Sequence, residues 1–187
     1  MIKRRKQKIG FYRKTKESNC ELIFIFDEIQ RIRAQGTDKN WAKKSYIKKL
    51  TTLEKKAFRK ILTMLKEKKL KTPDDFYRAS FIFHHGPSFR YYMIAVALAA
   101  ISNHLGEPRG KNIYAVAIDR LLLSLGLPQH FGSQYIKKNG KWQLDKYDPK
   151  TTDKERVEYT IEPLTTLKKH AREMYKTTVW TYSSKGQ

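Results

Sequence analysis

From Thr72 to Ile136 the chain is apolar and nearly neutral, with five basic residues (Arg78, Arg90, Arg109, Lys111, Arg120) against four acids (Asp74, Asp75, Glu107, Asp119). The chain as a whole, 187 residues long, carries a formal charge of +22. Into this apolar stretch are set a His pair in FIFHHGP, an Asp-Arg pair in IYAVAIDRLLLSLG, and the run LPQHFGSQY. Ionised or hydrogen-bonding groups among apolar side chains cost free energy unless they are partnered. They therefore read as a satisfied internal network or as a site, and their clustering favours a site.

Periodicity makes the chain mainly helical. Leu22, Ile25, Phe26, Ile29 and Ile32 follow helical spacing until Gly36. Residues 44–69 form a long amphipathic candidate with Tyr46, Leu50, Leu53, Phe58, Ile61 and Leu65 opposite lysines. Thr72-Pro73-Asp74-Asp75 is a helix start, with Thr72 as cap and Pro73 in the first turn, and that helix runs to Phe83. Ser88 is expected to cap the next, which Gly106 closes, and a further helix over 111–125 is apolar nearly all round and so expected at the centre. YIKK and KWQL flank Asn139-Gly140, a strong hairpin signal. Closing helices are expected over 153–159 and 163–175, with 178–187 as a tail that is either an edge strand or disordered. The predicted architecture is a single-domain helical bundle over 17–177, mainly α, with a small C-terminal β-hairpin near 133–146, after a basic arm over 1–16.

Length and charge limit the functions open to it. One cysteine, Cys20, excludes an internal disulfide framework. The run Tyr91–Ile101 is about half of the roughly 20 residues a membrane span requires. A cytoplasmic location is expected, with an unconventionally secreted effector as the alternative. Residues 1–71 hold most of the excess positive charge, and eight basic residues precede the first acid, Glu17. Lys3, Arg4, Arg5, Lys6, Lys8, Arg13 and Lys14 in that arm are candidates for contact with nucleic acid, through counterion release and long-range attraction. The lysines of 43–71 are read more simply as a solvated face.

His84 and His85 stand where an apolar helix should end. Imidazole is the usual acid/base group at neutral pH, and it also caps helix C-termini. Adjacent residues are expected to point apart, one inward and one outward. Asp119 and Arg120 lie about 100° apart on their helix and each needs its own partner. One reading is a buried ion network; the other gives Arg120 to an anionic group and makes Asp119 the orienter of a histidine or acceptor of a substrate hydroxyl. Gln129, His130 and Gln134 in a Pro/Gly-punctuated loop suit recognition of a polar ligand, or else tie down the loop's own backbone. Asp27 with Arg31 is an ordinary i,i+4 helix pair. No phosphate-loop, dinucleotide-binding, HExxH or CxxC motif is present, and His84, His85 and His130 match no common zinc spacing.

The series DEIQRIR (27–33), FIFHHG (81–86), AIDRLLLSLGLPQHFGSQ (117–134) and a later ER before Pro-Leu resembles an uncharacterised, mainly bacterial domain family. Its pattern is an Asp-Gln-x-x-Arg helix, a Gln-His segment, a Leu-x-Asp-Arg helix, and Gly-x-Pro-Gln-x-Tyr-Gly-Thr-Gln before a short hairpin and an Arg-containing helix. The resemblance implies site membership for Asp27, Arg31, His85, Asp119, Arg120, Gln129, Gly132, Gln134 and Arg156, with His84 in the Gln place. Phe131 stands for the family's Tyr and Ser133 for its Thr, so an activity needing that hydroxyl is put in doubt here. The resemblance supplies no reaction.

A polar pocket is built from His85 as acid/base, with His84 beside it as a further catalytic candidate, Asp119 as its orienter, Arg120 and Arg156 as an anion clamp, and Gln129 and Gln134 as ligand readers. It belongs to an enzyme, a hydrolase or group transferase for an anionic, phosphate-bearing substrate. No cofactor or metal is expected. The competing expectation is a nucleic-acid-binding or assembly protein whose basic N-terminal part does the work and whose polar set is structural.

Overall fold

The computed structural model describes residues 17–36 and 38–173. The arm over 1–16 and the tail over 178–187 lie outside the described residues, and so do the residue roles assigned to them. Among the described residues there are eight helices and one antiparallel hairpin: α1 Cys20–Ala34, α2 Asp38–Trp41, α3 Lys44–Lys66, α4 Pro73–Phe83, α5 Phe89–His104, α6 Arg109–Ser124, β1 Tyr135–Lys138, β2 Lys141–Leu144, α7 Asp153–Glu158 and α8 Leu164–Glu173. This is the mainly helical bundle with a hairpin that periodicity predicts. No helix among these residues is long and apolar enough to cross a membrane.

The helix ends follow side-chain chemistry. Thr72 accepts from the Asp75 backbone N–H while the Asp75 carboxylate accepts from that of Thr72, and Pro73 occupies the first turn. Thr152 and Glu155 make the same reciprocal cap on α7. Ser88 precedes α5 but makes no side-chain cap bond. In the hairpin, Lys138 pairs with Lys141 around Asn139-Gly140, and both turn residues adopt positive φ (50° and 76°), as a tight hairpin turn requires.

The main core draws Leu22, Ile29 and Ile32 from α1, Leu50, Phe58, Ile61 and Met64 from α3, Ile82 and Phe83 from α4, and Leu98 from α5. A smaller cluster joins Ala115 of α6 to Phe131, Ile161 and Leu167. Two buried hydroxyls tie α4 to α5: Ser80 donates to the Ala95 carbonyl and Ser102 to that of Pro73, both at 2.9 Å. The α5–α6 pair is closed by Gly110, where an added Cβ would stand 2.6 Å from the Asn103 nitrogen.

One expectation needs correction. Helix α6 is central only as far as Arg120, with Ile113, Ala115, Ala117, Asp119 and Arg120 buried, whereas Leu121, Leu122 and Leu123 are partly exposed and Leu125, just past its end, is 56% exposed. It packs chiefly on α5, and its C-terminal end runs past the rest of the bundle. The four-residue α2 escapes periodicity, because it is too short to show a repeat.

Candidate functional site

The polar residues of the apolar segment separate into two groups, one lining a cavity and one building its wall. The cavity holds about 430 Å³ and lies between the C-terminal ends of α1 and α4, the middle of α6 and the 130–134 loop. His84, His85, Arg120 and Gln134 all line it, joined by Arg33 and Gln30 from α1.

Both histidines face this space. Helix α4 stops at Phe83 and His84 is its C-cap, so the following turn brings the two rings together, with centroids 3.7 Å apart. The expected inward/outward split belongs to a continuing helix and does not hold at a helix end. The Nδ1 of His84 lies within hydrogen-bond distance of the Phe81 carbonyl. A carbonyl only accepts, so Nδ1 carries the proton and Nε2 the lone pair. Loss of hydration, with the nearby Arg120 and Arg33 guanidiniums, holds His84 well below its usual pKa. His85 is depressed likewise, by loss of hydration first, then by His84, Arg33 and Arg120. Both are neutral at neutral pH, and the Nδ1 of His85 is buried with no hydrogen-bond partner among the described residues.

Positive charge enters from two helices. Arg120 is 7% exposed. Arg33 is ion-paired with Glu54 of α3, itself buried. Burial pushes the Glu54 carboxyl upward, against the opposing pull of Arg33 and Arg120. Two guanidiniums, one carboxylate and two neutral imidazoles leave this corner with a formal charge of +1.

Asp119, Gln129 and Arg156 are placed elsewhere, and the roles expected of them are corrected accordingly. The Asp119 carboxylate accepts from the backbone N–H groups of Phe131 and Ser133, each at 2.8 Å. It orients a loop, not a histidine, because its 100° offset from Arg120 turns it away from the cavity. Gln129 donates to the carbonyls of Gln134 and Asp145 and accepts from the Gln134 N–H at 2.8 Å. Arg156, 1% exposed, donates through Nε to the Phe131 carbonyl (3.0 Å) and through Nη1 to that of Thr151 (2.7 Å). Three side chains thus pin the LPQHFGSQ loop, while Gly132 makes its turn at φ +86°. The outcome is Gln134 held at the cavity wall, its Nε2 bonded to Ser133 Oγ at 2.8 Å.

The remaining expected members lie apart. His130 sits 3.1 Å from Thr151 Oγ1, outside the cavity, and no three His, Cys, Asp or Glu side chains converge as metal ligands among the described residues. Arg31 is exposed, and Asp27, also exposed, lies 3.6 Å from Arg78 Nη1 on α4. The α1 guanidinium that reaches the cavity is that of Arg33, which shares a helical face with Phe26, Ile29 and Gln30. Reading that face from the buried isoleucines outward would have selected Arg33 over Arg31.

Comparison with protein-family models, with curated proteins and with solved structures gives no match for this chain.

Proposed function

We propose that the cavity is the active site of a hydrolase or group transferase acting on an anionic, phosphate-bearing substrate. The observation that carries this reading is the convergence of two guanidiniums and two neutral imidazoles on one open space of about 430 Å³. A guanidinium fork matches phosphate oxygens, and a neutral imidazole at neutral pH is ready to take a proton. Arg120 and Arg33 would hold the anion, and Gln134, with donor and acceptor on one amide, would orient it. His84 would receive through Nε2 the proton of an attacking water or hydroxyl as its oxygen bonds to phosphorus. The bond to the leaving oxygen breaks, and the imidazolium returns the proton to that oxygen, so the protein ends unchanged. Loss of hydration and the two guanidiniums keep His84 in that lone-pair form. Glu54 is a positioning residue that fixes Arg33.

The test pairs turnover with spectroscopy. The full chain is offered phosphomonoesters and phosphodiesters at neutral pH, and the histidine side chains are followed by NMR during titration with inorganic phosphate. Bound phosphate is expected to offset the guanidinium charge and raise both imidazole pKa values, and His84→Asn is expected to lower turnover by about 100-fold or more. Unmoved histidine signals, or full turnover in the variant, would overturn the reading.

A second reading, a basic protein that binds nucleic acid, draws support from α3. Its outward face exposes Lys48, Lys49, Lys55, Lys56, Arg59 and Lys60 to solvent.

A further inference from the structure

The cavity continues beyond Phe81. Phe81, Asn112 and Ile113 also line a second cleft of about 320 Å³, whose other walls include Tyr77, Arg109 and Thr160. The two form one groove across α4 and α6, with Phe81 at the junction. Its two ends differ in charge and in shape.

At the far end, arginine is already neutralised. Arg109 donates through Nε to Glu107 Oε1 (2.6 Å) and through Nη2 to Glu107 Oε2 (2.8 Å) and Asp74 Oδ1 (2.6 Å). Arg78 donates to the other Asp74 oxygen at 2.7 Å. With Asp27 at 3.6 Å from Arg78, two guanidiniums and three carboxylates sum to −1 there, against +1 around the histidines, so an anion belongs at the histidine end. What Arg109 offers instead is a plane. Its Cζ stands 4.1 Å above the centroid of Tyr77, and the side chain is 50% exposed, so one face of the guanidinium rests on the ring and the other is open. A guanidinium pinned flat by three carboxylate bonds is a rigid stacking platform of the kind on which nucleobases settle.

An edge-reading group stands beside it. Asn112 lines both parts of the groove and donates through Nδ2 to the Thr160 carbonyl at 3.0 Å. That bond fixes the amide and presents Oδ1 as an acceptor suited to an exocyclic amine. Tyr77 and His84 are seven residues apart on α4, roughly 10 Å along the helix, the reach of a nucleotide from its phosphate to the far edge of its base.

We propose that the groove binds a nucleotide, with its phosphate among Arg33, Arg120 and the histidines and its base on the Arg109–Tyr77 platform beside Asn112. This rests on the anion-site reading above and adds the base. A free mononucleotide and a nucleotide within a single strand share this chemistry.

Isothermal calorimetry on the full chain separates the cases, with inorganic phosphate, ribose 5-phosphate, adenosine 5′-monophosphate and a short single-stranded DNA as probes. The mononucleotide is expected to bind about tenfold or more tighter than ribose 5-phosphate, the increment of one stacked base. Arg109→Lys keeps the charge for Glu107 and Asp74 but removes the plane, and is expected to cut that ratio at least about fivefold. The comparison in the unaltered protein needs no variant, so it stands even if Arg109→Lys misfolds. Equal affinity for mononucleotide and ribose 5-phosphate overturns the base site while leaving the anion site intact. Binding of none of the phosphates removes the anion site and the nucleotide assignment with it. Given the tenfold increment, an oligonucleotide that binds more tightly and loses that affinity in Arg109→Lys assigns the site to a strand, and one whose affinity Arg109→Lys leaves unchanged assigns the site to a free nucleotide.

Discussion

Neutral imidazoles enclosed beside guanidiniums tie the site to stability as well as to chemistry. The pKa values of His84 and His85 are depressed in the folded chain, so below the ordinary value of 6.5 the unfolded chain binds more protons than the folded one. Their contribution is present above 6.5 and is lost as pH falls, by up to about 1.4 kcal/mol per pH unit for each ring while it stays neutral. Glu54, raised above its usual range, works in the opposite direction at more acid pH, where its protonated form favours the fold. Urea denaturation at decreasing pH below 6.5 should therefore show a falling midpoint, shallower in a His84→Asn, His85→Asn double variant and shallower again with phosphate present. Asp119 makes a separate prediction. Removing its carboxylate strands two backbone N–H groups in a closed loop, so Asp119→Ala should cost about 2–4 kcal/mol in the same experiment, while Asp119→Asn, which keeps one acceptor oxygen, should cost less.

At the scale of elements, the placement of the His pair depends on a turn with no spare room. A Cβ on Gly86 would lie 2.2 Å from that of Tyr91, so Gly86→Ala must displace the turn immediately after His85. It should destabilise by about 1–3 kcal/mol and shift both imidazole NMR signals. Gly110→Ala, also crowded, with a Cβ 2.6 Å from the Asn103 nitrogen at the α5–α6 crossing, should destabilise too and leave those signals in place. The sequence made α4 legible nearly to the residue, because Thr72, Pro73 and Asp75 are all local signals for one event. It made His84, His85, Arg120 and Gln134 legible because a polar group among apolar neighbours stands out. Arg33 and Glu54 were hidden for the converse reason: in a stretch crowded with lysines, one more charge carries no information until the fold shows which is buried. Asp119, Gln129 and Arg156 also stood out, yet sequence cannot tell a side chain that lines a cavity from one that meets the backbone of a loop.

Across the whole molecule the excess charge and the cavity should answer to salt differently. Screening acts over about 10 Å at 0.1 M ionic strength and weakens exposed charges most. The α3 lysines face it fully, whereas Arg120 and the Arg33–Glu54 pair do not. A polynucleotide held by the basic surface should thus lose affinity steeply with salt, with a log–log slope of roughly 0.7–0.9 per phosphate neutralised. Inorganic phosphate in the cavity should weaken far less over the same range. Deleting residues 1–16 should flatten the polynucleotide's slope, and His85→Ala should leave that slope and most of the affinity untouched, with the phosphate-induced NMR shift of His84 still reporting the cavity. If both variants lost polynucleotide affinity equally, surface and cavity would be one binding site, and the +22 charge would have to be read as part of substrate recognition from the first contact.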